Sequence, residues 1–154
     1  SFVDEPGFMI GPDSEKAGTI RHGTSAISAL MQSKVPWASI IVRKVFGVAG
    51  AAHFAPDSYV LSWPSAETGT LPVEGGVAIA FKKEIESAEN PEEKRKELEN
   101  MLAKRSSPFP RSESFSVHEL IDPRDSRIKL INWLRLVIKT RVANNDIFKT
   151  SMLP

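Results

Sequence analysis

The stretch Trp37-Ala38-Ser39-Ile40-Ile41-Val42 runs through Arg43-Lys44-Val45-Phe46 into Gly47-Val48-Ala49-Gly50-Ala51-Ala52, and it constrains the fold more than any other feature. An unbroken apolar run rich in β-branched residues is what a strand buried on both faces requires. Such burial is typical of a parallel sheet covered by helices. The small residues stand where that strand should hand over to a helix. Two readings stay open for them. Small side chains let a ligand oxygen approach main-chain N–H groups at a helix start, where two such groups form an oxyanion hole. They also let a helix pack closely on the sheet.

The rest of the chain alternates strand and helix signals, which points to an α/β fold. Ser1-Phe2-Val3 reads as the end of a strand with no preceding partner, so the chain is expected to begin mid-fold. Asp4 to Pro12, with Pro6, Gly7, Gly11 and Pro12, has loop composition. Asp13 or Ser14 can cap a following helix whose stripe is Ile20, Gly23, Ile27, Leu30 and Met31, ended by Val35-Pro36. Ser58–Ser62 predicts a strand closed by Trp63-Pro64, and 67–70 a short third extended piece. Gly75-Gly76 opens a helix to about Ile85. Asn90-Pro91-Glu92-Glu93 is a strong helix start, and its narrow stripe of Leu98, Met101 and Leu102 suits solvent or a partner. Ser106–Pro110 reads as a turn-rich linker. Leu130, Ile131, Leu134, Val137 and Ile138 mark a last helix over 125–141, followed by a weakly patterned tail. Three or so strands cannot cover both faces of a sheet, so a homo-oligomer is expected.

Composition removes whole classes of function. Lys and Arg number 20 against 19 Asp and Glu in 154 residues, so nothing suggests phosphate-backbone binding and no nucleic-acid partner is expected. No cysteine is present, which excludes disulfides, thiolate catalysis and cysteine-ligated zinc. The apolar runs fall well short of the roughly 20 residues that span a bilayer, so no membrane association is expected. His22, His53 and His118 lack metal-ligand spacing, and no metal site is predicted. No GxSxG elbow or Walker loop occurs, and the GVAG run lacks the spacing of a dinucleotide fingerprint. The pairs Glu84/Glu86 and Glu92/Glu93 read as solvated helix faces.

A series of short motifs carries more. Val3-Asp4-Glu5-Pro6-Gly7-Phe8-Met9-Ile10-Gly11, then Glu15, Gly18 and Ile20-Arg21-His22-Gly23, then Val35-Pro36, then the segment RKVFGVAGAA over 43–52, then Ser62-Trp63-Pro64-Ser65-Ala66-Glu67, and finally Ile121-Asp122-Pro123-Arg124-Asp125-Ser126-Arg127 follow in order. Together they resemble the carboxyltransferase (beta) subunit of biotin-dependent acyl-CoA carboxylases of the acetyl-/propionyl-CoA type. The resemblance implies a crotonase-like spiral of ββα units. It makes residues 1–143 the C-terminal part of the carboxyltransferase C-terminal domain, incomplete at its N-terminus, with 144–154 a tail.

The same resemblance implies carboxyl transfer from carboxybiotin to an acyl-CoA, with the biotin carried on a partner protein or domain. It implies further partners in the biotin carboxyl carrier and biotin carboxylase components, and a location in the cytoplasm or mitochondrial matrix. By position the family's Gly-Ala pair falls on Val48 and Ala49, whose amides would stabilise charge on the biotin ureido oxygen. Pro6, Gly7, Phe8, Phe46 and Gly47 would border the biotin pocket. The cofactor can serve as base, which fits a sequence with no evident general base beside Val48. A hydratase or isomerase on this fold would need acidic residues there. Two departures stand out: Val48 replaces a glycine, and Leu71-Pro72 replaces Met-Gly, which leaves the acyl group open. A decarboxylase subunit or a non-catalytic assembly module are the alternatives.

Overall fold

The computed structural model describes residues 1–140, and within them all five strands run parallel. β1 (Phe2–Glu5), β2 (Ala38–Phe46), β3 (Tyr59–Ser62) and β5 (Glu119–Leu120) lie in the order β1-β2-β3-β5. β4 (Glu67–Gly69) continues beside β2 past the end of β3, pairing with Lys44–Phe46 while β3 pairs with Ala38–Ile41. The nine-residue β2 is thus the axis of the sheet. Its consecutive isoleucines point to opposite faces. Ile40 packs with Leu61 and Ile121, joined by Leu130, and Ile41 with Ala66 and Val117, joined by Phe54 and Val60. Burial on both faces is what the apolar run predicts.

The helices are α1 (Pro12–Lys16), α2 (Thr19–Gln32), α3 (Gly47–Ala51), α4 (Val73–Ala80), α5 (Lys82–Glu86), α6 (Pro91–Ser106), α7 (Pro108–Glu113) and α8 (Ser126–Thr140), with a 3-10 turn at Pro123–Asp125. Asn90 caps α6 as its sequence predicts. Its Oδ1 accepts the Glu93 amide at 3.2 Å, and its Nδ2 donates to Glu93 Oε2 at 3.3 Å. Two motifs of the resemblance meet in one contact, because Trp63 Nε1 donates to Ser126 Oγ at 2.9 Å.

Several expectations need correction. β1 extends through Glu5, because Asp4 accepts the Lys44 amide at 3.1 Å and pairs with Arg43, so the loop starts at Pro6. The single helix expected after Asp13 is two. Gly11 holds the N-cap position with Pro12 at the first turn, neither Asp13 nor Ser14 caps it, and the chain turns at 17–18. Leu30 of the predicted stripe is buried, while Ile20 and Met31 are exposed. Residues 75–85 also divide, into α4 beginning at Val73 after Pro72 and α5 beginning after Phe81. The expected linker at 106–110 is the end of α6 and the start of α7, with Pro108 suited to a first helical position. The sheet has five strands, not three, and β5 is too short for periodicity to reveal. The α6 stripe is covered within the chain by α4, α5 and β4, with Leu98 buried, so it does not call for a partner. The predicted helix end at Arg141 and the tail 144–154 lie outside the described residues.

Candidate functional site

Parallel pairing brings two glycine-bearing turns to one edge of the sheet. Glu5 of β1 stands opposite Val45 of β2, so Pro6-Gly7 and Phe46-Gly47 leave their strands side by side. β4 adds a third end, with Gly69 opposite Phe46. In α/β folds the region past the carboxyl ends of the strands is where ligands bind.

Each turn has a local cause. Gly7 has φ +143°, a conformation side-chain-bearing residues rarely adopt, and open space faces the position its Cβ would take. Its amide donates to Glu5 Oε1 at 3.1 Å. Glu5 therefore places a carboxylate at this edge, although no acid lies near Val48 in sequence. Its bond to Gly7 gives it the role of a brace for the loop. Pro6 is exposed, and Phe8 lies over α2, where a Cβ on Gly23 would meet the Phe8 ring at 2.3 Å. The Phe8 side chain thus anchors the loop to α2.

Gly47 opens α3 at φ +60°, and a Cβ there would lie 3.4 Å from the Thr70 carbonyl oxygen. Phe46, only 1% exposed, is a core residue, so its main chain alone reaches the edge. A Cβ on Gly50 would come within 2.6 Å of Val45 Cγ1. The packing reading of the small-residue run has a place in the structure, since Gly50 seats α3 on β2; the first amides of α3 are of the kind a helix leaves without an internal partner. The Val48 side chain is 65% exposed and Ala49 is 3% exposed. Leu71-Pro72 follows Thr70 directly. Pro72 takes the N-cap position of α4, and Leu71 Cβ lies 3.0 Å from where a Gly76 Cβ would stand. The departure from the family pattern thus adjoins the start of α3.

With this geometry in view, the chain can be set beside known proteins. The Carboxyl transferase domain family matches residues 1–149. The chain belongs to the carboxyl transferase domain family. The propionyl-CoA carboxylase carboxyltransferase subunit of Haloferax mediterranei is 34% identical over 151 residues, covering 95% of this chain and 29% of that protein. The methylmalonyl-CoA decarboxylase alpha subunit of Propionigenium modestum is 32% identical over 136 residues, covering 86% and 26%. A solved transcarboxylase 12S structure, described as a hexamer with methylmalonyl-coenzyme A and methylmalonic acid bound, superposes with a TM-score of 0.85 at 30% identity, over 98% of this chain and 30% of that one. The chain therefore spans under a third of the length of these relatives. Its fold is the crotonase-like fold of carboxyl transferase domains.

Sequence reasoning missed residues beneath α3. Thr68 is 4% exposed, and its hydroxyl has no hydrogen-bond partner among the described residues; Arg111 Nε is likewise buried and unpartnered. A threonine in a three-residue strand and an arginine that belongs to no motif or periodic stripe give no pattern to find. The side-chain cluster of Tyr59, Glu119 and Lys129 was also missed. Tyr59 donates to Glu119, Lys129 pairs with the same carboxylate, and the Tyr59 ring stacks on Trp133. Burial, then the Glu119 bond, pushes the Tyr59 phenol up to about 12, and Lys129, then Tyr59, holds Glu119 below its usual value. No helix among the described residues is long and apolar enough to cross a membrane.

Proposed function

We propose that the protein transfers a carboxyl group between carboxylated biotin and an acyl-CoA, as a carboxyltransferase component of a biotin-dependent carboxylase. The observation that carries this is the register Glu5↔Val45, which joins the Pro6-Gly7-Phe8 turn and the Gly47–Ala49 helix start, two separate motifs of the family, at one end of the sheet. The site fits the cofactor in kind: Gly7 faces open space, and no bulky side chain other than Val48 follows Gly47. Biotin, bound on its carrier, would supply the carboxyl group. The amides of Val48 and Ala49 would hold the developing negative charge on its carbonyl oxygen, a role that main-chain donors fill without reorganising. Glu5 keeps the facing loop in shape, Phe8 fixes it to α2, and Phe46 and Gly47 set the entry of α3.

The protein would act as a homo-oligomer with carrier and biotin carboxylase components, in the cytoplasm or mitochondrial matrix. The relevant support is the exposed apolar residues Ile128, Leu134, Leu136 and Ile138 on α8, which a partner surface would cover. The acyl half of the site would come from sequence beyond the aligned region of its relatives. A decarboxylase role is the second reading, favoured by the decarboxylase subunit among the relatives. Assaying the full-length protein in both directions separates the two. Gly7→Val supplies the control within the site. We expect carboxyl transfer to fall at least tenfold while the melting temperature drops by only a few degrees, because the strain is confined to an open turn. Loss of transfer only in proportion to loss of fold would leave the loop with a structural role alone.

A further inference from the structure

Two adjoining cavities lie between β4, α3 and α7. One, of about 350 Å³, is walled mainly by Ile41, Val45, Phe54, Val60 and Val117. The other, of about 390 Å³, opens past Leu102 and Arg105. Thr68, Gly69 and Arg111 line both, so they form the junction. At that junction a nine-tenths-buried hydroxyl and a buried guanidinium nitrogen lack partners among the described residues. Neither lining contains an acidic side chain, and no ion pair to Arg111 or Arg105 occurs among the described residues.

Buried polar groups without partners are few in folded proteins, and they call for an explanation when two share one wall. An arginine fork matches a carboxylate or a phosphate. The remaining lining decides between them. One guanidinium and one hydroxyl can serve two carboxylate oxygens, whereas in the lobe walled by Ile41, Val60 and Val117, where Ser116 is the one further polar side chain, the additional oxygens of a phosphate would meet mostly aliphatic groups and each unpaired one is costly. The apolar lobe is suited to a hydrocarbon body. We infer that this cavity binds a small organic carboxylate with an apolar body, its carboxylate held by Arg111 and Thr68 and its chain lying over Ile41, Val60 and Val117. The site adjoins the proposed biotin pocket, since Gly47, Gly50 and Ala51 of α3 also line its apolar lobe while Val48 and Ala49 do not; the inference itself does not depend on carboxyl transfer.

Thermal melting of the full-length protein tests this with butyrate, hexanoate, phosphate and chloride at matched ionic strength. Butyrate and hexanoate should raise Tm, by roughly 5–10 °C at a hundredfold excess over Kd, with hexanoate acting at lower concentration and the inorganic anions without effect. Thr68→Val keeps the shape and removes the unpartnered hydroxyl, so its ligand-free Tm should stay level or rise while most of the carboxylate shift disappears. Arg111→Gln should abolish the shift. Equal stabilisation by phosphate would overturn the ligand class. No shift with either carboxylate, or a shift that survives both substitutions, would overturn the site.

Discussion

The two ends of β2 and its neighbours are built from different materials. At the carboxyl edge, around Gly7, Gly47 and Gly50, structure is set by main-chain conformation and the absence of side chains. On the flank where β3, β5 and α8 meet, it is set by side-chain chemistry: the Tyr59–Glu119–Lys129 cluster with His118 and Trp133. The contrast separates two kinds of dependence. The first region should respond mainly to volume and backbone changes, and the second mainly to pH. A site meant to stabilise a developing oxyanion gains from the first kind, because fixed amides keep their dipoles at any ordinary pH.

The largest effect should come from Ala49→Pro, which deletes one of the two proposed donors. Turnover should fall on the order of 10² to 10³, with circular dichroism and oligomer size unchanged. Ala49 is buried at the third position of α3, past the first position that accepts proline most readily, so unchanged circular dichroism and oligomer size are the condition for reading that loss as catalytic. A folded variant with full transfer would return the small-residue run to a packing role alone. Next is Gly50→Ala, whose new methyl would press on the stiff Val45 side chain at 2.6 Å. It should destabilise by about 1–3 kcal/mol in denaturant melts, and Val45→Ala in the same chain should restore most of that. Failure of the rescue would show that α3 is not seated by this contact.

The flank should reveal itself by pH. Tyr59 ionises from its usual 10.0 in the unfolded chain but only near 12 in the fold, so its contribution is complete below pH 10 and is lost as pH rises from 10 to 12. Glu119 has the opposite sign. Its lowered value stabilises the fold above its usual 4.5, and the gain is lost as pH falls below that. Tyr59→Phe should flatten the alkaline decline in Tm, by an amount worth roughly 1 kcal/mol after solvent screening, and leave transfer unchanged at neutral pH. A large change in transfer would show that the two regions are coupled.

The same contrast explains what could be read in advance. The buried axis strand was legible because residues 37–42 are apolar without alternation, and the α6 start because Asn90-Pro91-Glu92-Glu93 states its own cap. The site edge was legible only through family motifs. Nothing in the letters shows that Glu5 stands beside Val45, since register between strands 40 residues apart is a tertiary matter. The breaks at 17–18 and Phe81 were hidden because helix-compatible residues lie on both sides of each. The Thr68–Arg111 junction had no signal at all. Its meaning depends on missing partners, which only packing can create.

The central claim is that the carboxyl-edge site works through main chain and not through side chains, and Val48→Gly tests it most directly. Unlike proline at 49, this change removes only the exposed isopropyl group and leaves both amides in place. We expect carboxyl transfer by the full-length protein to equal or exceed that of the unaltered protein, with Tm lowered by no more than a few degrees. A tenfold or greater loss of transfer in protein that remains folded and assembled would contradict the account, because the activity would then rest on the Val48 side chain.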